Sequence, residues 1–268
     1  MILRLRDFLT TLETIAPTRW AEPWDNPGLQ IGSLSQEIRK IFSSLDPTLS
    51  ALISASEADA QLLFTHHPLI FKPLSRLDIN VYPGDVLAEA AKRGIAIVAA
   101  HTNLDVARGG INDILADLIG LGDVEVLQPA DEAVGVGLGR IGNLPKPAAL
   151  AEVAKDVEKA LGAQRIRAVG RRDVLIHRLA VVGGSGGGLT SLAHEKGAEL
   201  LITGDIGHHV ALEAEALGIA LLDGGHFNSE RTAFRVFAKN LDRMLTSKGW
   251  EASLETDDNE TDPLWIDD

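Results

Sequence analysis

The sequence predicts an α/β protein of two related lobes with mainly parallel, mixed sheets. Three observations predict it. Short apolar runs alternate with helical stretches along the chain, the pattern of strands joined by crossover helices. One pair of segments is echoed later in the same order. The residues that follow the apolar runs are mostly histidines and carboxylates.

In "MILRLRDFLTTLETIA", Leu5, Phe8, Leu9, Leu12 and Ile15 fall at helical spacing and predict an amphipathic first helix. Its early acidic residues, with no small-residue cleavage site, argue against a signal peptide. "WDNPGLQIG" (24–32) reads as a turn-rich loop whose Asp25 and Asn26 can orient a ligating imidazole from behind. Strands are expected at 40–45, 61–65, 95–100, 178–183, 199–203 and 219–223. Helices are expected near 48–59, 84–93, 110–120, 148–161, 188–196, 208–217 and 229–247. "GVGLGRIGNLPKP" (135–147), rich in Gly and Pro, reads as a crossing between lobes with room for a short strand. "GGSGGG" (183–188) fits neither G-x-G-x-x-G nor a P-loop; it reads first as a flexible strand-to-helix turn and second as a cradle of amides for phosphate. The acidic tail 256–268 is expected to be mobile up to Pro263, with Leu264 and Trp265 as anchors. The lobes are expected to divide as 1–130 and 131–268, the part from about 204 onward completing the site.

Composition narrows the function classes. A chain of 268 residues, 45% hydrophobic, can bury a real core, and no apolar run is long enough for a membrane span. Cys is absent, which excludes disulfides, thiolate nucleophiles and Cys-based zinc sites and agrees with a cytoplasmic protein. A formal charge of −13 argues against broad nucleic-acid or membrane-surface binding. An anionic ligand needs a local positive centre in such a chain, and a metal ion supplies one.

The echo carries the chemistry. "AQLLFTHH" (60–67) resembles "AELLITGD" (198–205), and "GIAIVAAHTNLD" (94–105) resembles "GIALLDGGHFNSE" (218–230). Both later segments end in His-x-Asn-x-carboxylate: His101, Asn103, Asp105, and His226, Asn228, Glu230. In parallel α/β sheets ligands collect beyond the carboxyl ends of strands. Six of the eight histidines fall in such turns: His66, His67, His101, His208, His209 and His226. A lone histidine is more often a satisfied polar residue than a ligand, but a set placed this way reverses those odds. His66, His67, His101, Asp105, His226 and Glu230 make six candidate ligands. Imidazole mixed with carboxylate suits Zn, Fe, Mn, Co or Ni over Ca or Mg. Six ligands are more than one open catalytic zinc takes and suit two divalent ions roughly 3.5–4 Å apart. Adjacent histidines on a continuing strand point to opposite faces, so the pair needs the strand to end at Thr65; Pro68, which cannot donate to a ladder, favours that ending. His208 and His209 read equally as site wall or helix surface, and His177 and His194 as structural or solvated.

"WDNPGLQIG", "THHPLIF", "HTNLD", "TGDIGHH" and "GGHFNSE", in this order, resemble the Nif-three-like family of dinuclear-metal hexameric proteins, one branch of which comprises GTP cyclohydrolase type 2 homologues. "TDP" (261–263) is similar to the family's tail, so the likeness spans nearly the whole chain. The resemblance implies two interlocked α/β lobes in a toroidal homohexamer with metal sites facing an internal cavity. It implies that His66, His67, Asp105, His226 and Glu230 bind two metals with Glu230 as bridge, and that His101 is a ligand or a partner behind one. With about seventy residues between the motif-bearing halves, it implies the short form without an inserted middle domain.

The expected activity is metal-dependent hydrolysis of a nucleotide or other small anionic phosphate compound, cyclohydrolase-like by the resemblance. Arg108 and Arg231, close in sequence to candidate ligands, read equally as phosphate holders or ion-pair partners. The alternative is a non-enzymatic metal-binding hexameric scaffold or regulatory protein.

Overall fold

The computed structural model describes residues 1–131 and 133–264. β1 (Leu3–Arg4) leads into α1 (Leu5–Ile15), followed by β2 (Gly28–Ile31) and β3 (Glu37–Ile38). Next come β4 (Lys40–Ser44), α2 (Leu49–Glu57), β5 (Leu62–Thr65), α3 (Gly84–Arg93), β6 (Ala96–Ala99) and α4 (Thr102–Val106). The middle of the chain forms α5 (Ile111–Ile119), β7 (Gly122–Asp131), β8 (Val136–Ala149), α6 (Leu150–Leu161) and β9 (Arg167–Val169). The last third forms β10 (Leu175–Ser185), α7 (Thr190–Glu195), β11 (Leu200–Gly204), α8 (His208–Leu217), β12 (Ala220–Asp223), α9 (His226–Ser247) and β13 (Ser253–Thr256). No described helix is long and apolar enough to cross a membrane.

The chain forms two compact units: residues 1–104 with the segment from Phe234 onward, and Asp105–Ala233. This differs from a single division near residue 130. α5 and β7 go with the second unit, and the closing strand β13 returns to the first sheet.

The first unit holds a five-stranded sheet in the order β13-β4-β5-β6-β2, parallel except for β2. β5 and β6 are buried along their full length, which is why "LLFT" and "AIVA" read as continuous apolar runs with no alternation. α1 buries Leu5, Phe8 and Leu12, one face at helical spacing. Phe8 meets Phe64 edge-on at 5.4 Å, and Phe64 in turn meets Phe234 of α9 at 5.2 Å. α2 starts at Thr48, whose Oγ1 accepts the Ala51 amide at 3.0 Å.

The second unit holds a six-stranded sheet in the order β7-β8-β10-β11-β12-β9. β10, β11 and β12 are parallel, and the flanking pairings are antiparallel. The two units repeat one motif: three parallel strands in chain order joined by helices, with one antiparallel strand beyond the third. β4-β5-β6-β2 in the first corresponds to β10-β11-β12-β9 in the second. The echoed segments are the second and third strands of each motif.

The expected crossing at 135–147 is instead part of β8, a long strand paired with both β7 and β10. Gly137 and Gly142 mark close approach of neighbouring backbone. A Cβ at Gly137 would lie 2.1 Å from the Gln128 carbonyl oxygen, and one at Gly142 2.7 Å from that of Gly122. Likewise, part of the expected loop 24–32 is the strand β2. The tail is also more ordered than expected: Asp257 is buried and its amide donates to the Ser43 carbonyl at 2.8 Å, continuing the β13–β4 ladder. Leu264 is exposed, while Trp265 lies outside the described residues.

Candidate metal centre

In the first unit β5 ends at Thr65, as the paired histidines require. The Leu45 carbonyl accepts both following amides, His66 at 3.2 Å and His67 at 3.0 Å, which turns the chain out of the strand. The Thr65 hydroxyl donates to the His67 carbonyl at 2.7 Å and fixes the turn. The two rings therefore lie 5.2 Å apart, centroid to centroid, rather than on opposite faces. His101, two residues beyond β6, lies 5.3 Å from His66 and 5.4 Å from His67. Each of the three offers a ligand atom within 4.8 Å of the others. His66 is fully buried and the other two are half-buried.

Every one of these rings has its Nδ1 against an oxygen. His66 Nδ1 lies 2.7 Å from the Ala100 carbonyl, His67 Nδ1 2.7 Å from Asp46 Oδ1, and His101 Nδ1 2.8 Å from Asp25 Oδ1. Three imidazoles this close cannot all be charged without strong repulsion. A proton on Nδ1 of each ring satisfies all three acceptors and would give ligation to Nε2, the usual second layer of a metal-binding histidine. Asp25 also accepts from the amide and hydroxyl of Thr102. Burial works to raise the Asp25 pKa, but the hydrogen bonds from His101 and Thr102, the His101 charge and the Asn26 amide outweigh it and hold the pKa at about 2.

In the second unit His226 opens α9 directly after β12, and Glu230 follows one turn later on the same face. His226 Nδ1 lies 2.7 Å from Asp205 Oδ2, and its Nε2 lies 2.9 Å from Glu230 Oε2. A ring with a carboxylate on each nitrogen is either an imidazolium or a neutral imidazole that shares a cation with the second carboxylate. Asp105 is buried, and a carboxylate oxygen of it lies within 4.8 Å of one of Glu230. Its carbonyl accepts from Asn112 Nδ2 at 2.9 Å, while Asn112 Oδ1 accepts the Gly183 amide at 3.0 Å. Ser229, beside Glu230, accepts the Gly184 amide at 3.2 Å. Adjacent amides of β10, at Gly183 and Gly184, thus tie down the Asp105 backbone through Asn112 and the Ser229 side chain beside Glu230.

Two glycines make room for this set. Gly184 has φ +61°, and a Cβ there would lie 2.1 Å from Glu230 Oε1. A Cβ at Gly204 would lie 2.4 Å from the backbone nitrogen of His226. The "GGSGGG" turn is therefore a packing device. Its amides at 183, 184 and 186 are taken by Asn112, Ser229 and Thr203, which removes the phosphate-cradle reading for them.

The remaining candidates divide. His208 and His209 begin α8, exposed, with rings 5.6 Å apart, and His177 and His194 are exposed on β10 and α7. The Arg108 Nε donates to the Gly135 carbonyl at 3.4 Å, and the Arg231 guanidinium lies 5.5 Å from the Phe227 ring centre. Asp25 supports a histidine as expected, whereas Asn26 holds the Ile70 carbonyl at 2.7 Å. Sequence reasoning missed Asp46 and Asp205 as supports. Both follow strand ends, β4 and β11, so the rule that found the histidines also contained them. Trp24 and Phe71, both about half exposed, pair at 5.5 Å, and their ring centres lie 6.0 and 6.3 Å from His101.

Groups of buried and half-buried His, Asp and Glu able to hold a metal ion are therefore present. Known proteins share the whole architecture. The chain is 31% identical to the GTP cyclohydrolase 1 type 2 homolog of Clostridium acetobutylicum, covering 98% of both chains. It is 37% identical to the protein of the same name from Nostoc, over 80% of this chain and 85% of that one. A crystal structure of a Bacillus cereus protein related to NIF3 superposes with a TM-score of 0.94 at 26% identity, covering 99% of this chain and all of that one. The family profile of Duf34/NIF3 (NGG1p interacting factor 3) matches residues 3–263. The chain belongs to the Duf34/NIF3 family.

Proposed function

We propose that this chain is a dinuclear-metal-dependent hydrolase acting on a nucleotide or another phosphate-containing small molecule. In this reading two divalent ions drawn from Zn, Fe, Mn, Co and Ni would be held by His66, His67, His101, Asp105, His226 and Glu230. One observation carries it: each of the four imidazoles has Nδ1 against an oxygen acceptor, three of them aspartates, so Nε2 is the ligating atom throughout. The donor set of neutral imidazoles and carboxylates fits such ions. The relatives named GTP cyclohydrolase 1 type 2 homolog point to a purine nucleotide as the first substrate to try.

Divalent ions bound there supply Lewis acidity and acidify a water to near neutrality. The protein's own part is preorganisation. Asp25, Asp46 and Asp205 keep the Nδ1 proton in place and make each imidazole a better donor. Trp24 and Phe71 offer flat apolar surface beside His101 for a substrate ring. We further propose a cytoplasmic homo-oligomer, a hexamer by resemblance. The exposed apolar side chains of Leu74, Leu77, Ile79 and Val81 support a subunit contact on the first unit.

The test is metal content and turnover together. Protein purified without chelator is expected to carry about two ions per chain. Across a panel of nucleotides headed by GTP, wild type turns over at least one and Glu230→Gln loses that activity. Fewer than one ion per chain defeats the dinuclear reading. Metal-loaded protein with no turnover on the panel returns the scaffold role.

A further inference from the structure

The hydrogen bonds around Leu45 lead to a residue outside the ligand set. The Leu45 carbonyl holds the amides of both His66 and His67, so this one residue sets where the two ligands leave β5. Asp46, the next residue, holds His67 Nδ1. The Leu45 amide is in turn held from behind by Glu260, whose Oε2 accepts it at 2.7 Å and accepts the Ser44 hydroxyl at 3.0 Å.

Glu260 stands in an acidic terminal segment whose composition suggests solvation, yet its side chain is only 9% exposed. Its Oε1 faces Arg235 Nε at 3.5 Å. Arg235 also donates to the Asp257 carbonyl and pairs with Asp258 at 3.1 Å. With the Asp257 amide on Ser43, these contacts bring the segment along β4 to its carboxyl end, where the carboxylate meets the last strand residue and the one after it.

We propose that Glu260 is a positioning residue for the His66–His67 pair, acting through Leu45, and that the terminal segment is thereby a working part of the metal site. The proposal rests on the reading that these histidines bind metal. A charged acceptor holds a buried amide more firmly than a neutral one. Without it the Leu45 amide loses its partner, and the turn that aims both rings loosens. Linkage makes the effect reciprocal: metal binding tightens the segment by the factor by which the segment tightens metal binding.

Apo protein is reloaded with Co2+ or Zn2+ and the affinity read by competition with a chromophoric chelator. Glu260→Ala is expected to weaken binding about 10–100-fold, as removal of a support behind a ligand does. Glu260→Gln keeps a carbonyl oxygen for the Leu45 amide and is expected to recover most of that loss. Glu255→Ala, which removes the neighbouring 2.7 Å pair with Lys40 but touches nothing at Leu45, is expected to leave the affinity unchanged. In wild type, hydrogen exchange at the Leu45 and Asp257 amides slows on metal loading, a readout that stands even if the alanine variant fails to fold. Metal-binding wild type with Glu260→Ala within twofold of it, or exchange indifferent to metal, overturns the proposal. Wild type that takes up no metal overturns the metal reading instead.

Discussion

At the end of β5 stand His66 and His67; at the matching end of β11 stand Gly204 and Asp205. After β6 comes His101, and after β12 comes His226. The third strands agree, each followed by a histidine whose Nδ1 meets an aspartate. The second strands do not. In the first unit that position supplies two candidate ligands, and the aspartate for His101 comes from the distant loop at Asp25. In the second unit the position supplies the supporting aspartate itself, and Gly204 leaves space for the His226 backbone. The two units thus share the strand ends that carry their candidate ligands, but the second strand ends in two histidines in one and in a supporting aspartate in the other.

The sharpest way to break this comparison is to put a Cβ in the second unit at the position where the first one carries the His66 side chain. Gly204→Ala places a Cβ against the backbone of His226, which cannot rotate away as a side chain would. We expect a loss of about 3 kcal/mol in stability and of metal held by the second set, read by urea titration and metal analysis. Wild-type metal content in the folded variant would show that the glycine is incidental.

Asp205 separates binding from stability. It adopts φ +56°, a conformation that glycine takes without strain. Asp205→Gly is therefore expected to keep stability within about 1 kcal/mol while metal affinity drops about 10–100-fold, because the His226 ring loses its support. If both properties fall together, the aspartate is structural and the correspondence with Asp25 fails.

The smallest effect is a pH dependence confined to the first unit. Asp25 has a folded pKa of about 2 against an ordinary 3.8, so its charged form is favoured in the folded chain. That stability is fully present above the ordinary value and is lost as pH falls from near 4 towards 2. It amounts to at most about 2.5 kcal/mol. Urea titration of chelator-treated protein at several pH values should show this slope in wild type, and Asp25→Asn should flatten it. An equal slope in both assigns the acid sensitivity to other carboxylates.

Much of this was legible in the chain. Periodicity and run length located the central strands and their helices, since fully buried parallel strands leave unbroken apolar runs and helices leave a stripe. The strand-end rule picked out the histidines because strand ends are where such sheets present side chains. Strands at the sheet margins were not legible. β8 reads as a crossing with room for only a short strand because glycines such as Gly137 and Gly142 answer a neighbouring backbone that the sequence cannot display, and β13 lies among polar tail residues whose pairing partner is some two hundred residues away.

By itself, then, the sequence determined the α/β class, the repeated motif and the histidine and carboxylate types available for a site, because those depend on local periodicity and side-chain chemistry. Only the tertiary structure decided which oxygens hold Nδ1, why Gly184 and Gly204 bear no side chain, and that Glu260 reaches Leu45. Each of these is a contact between distant segments, set by close packing and by the need of every buried polar group for a partner.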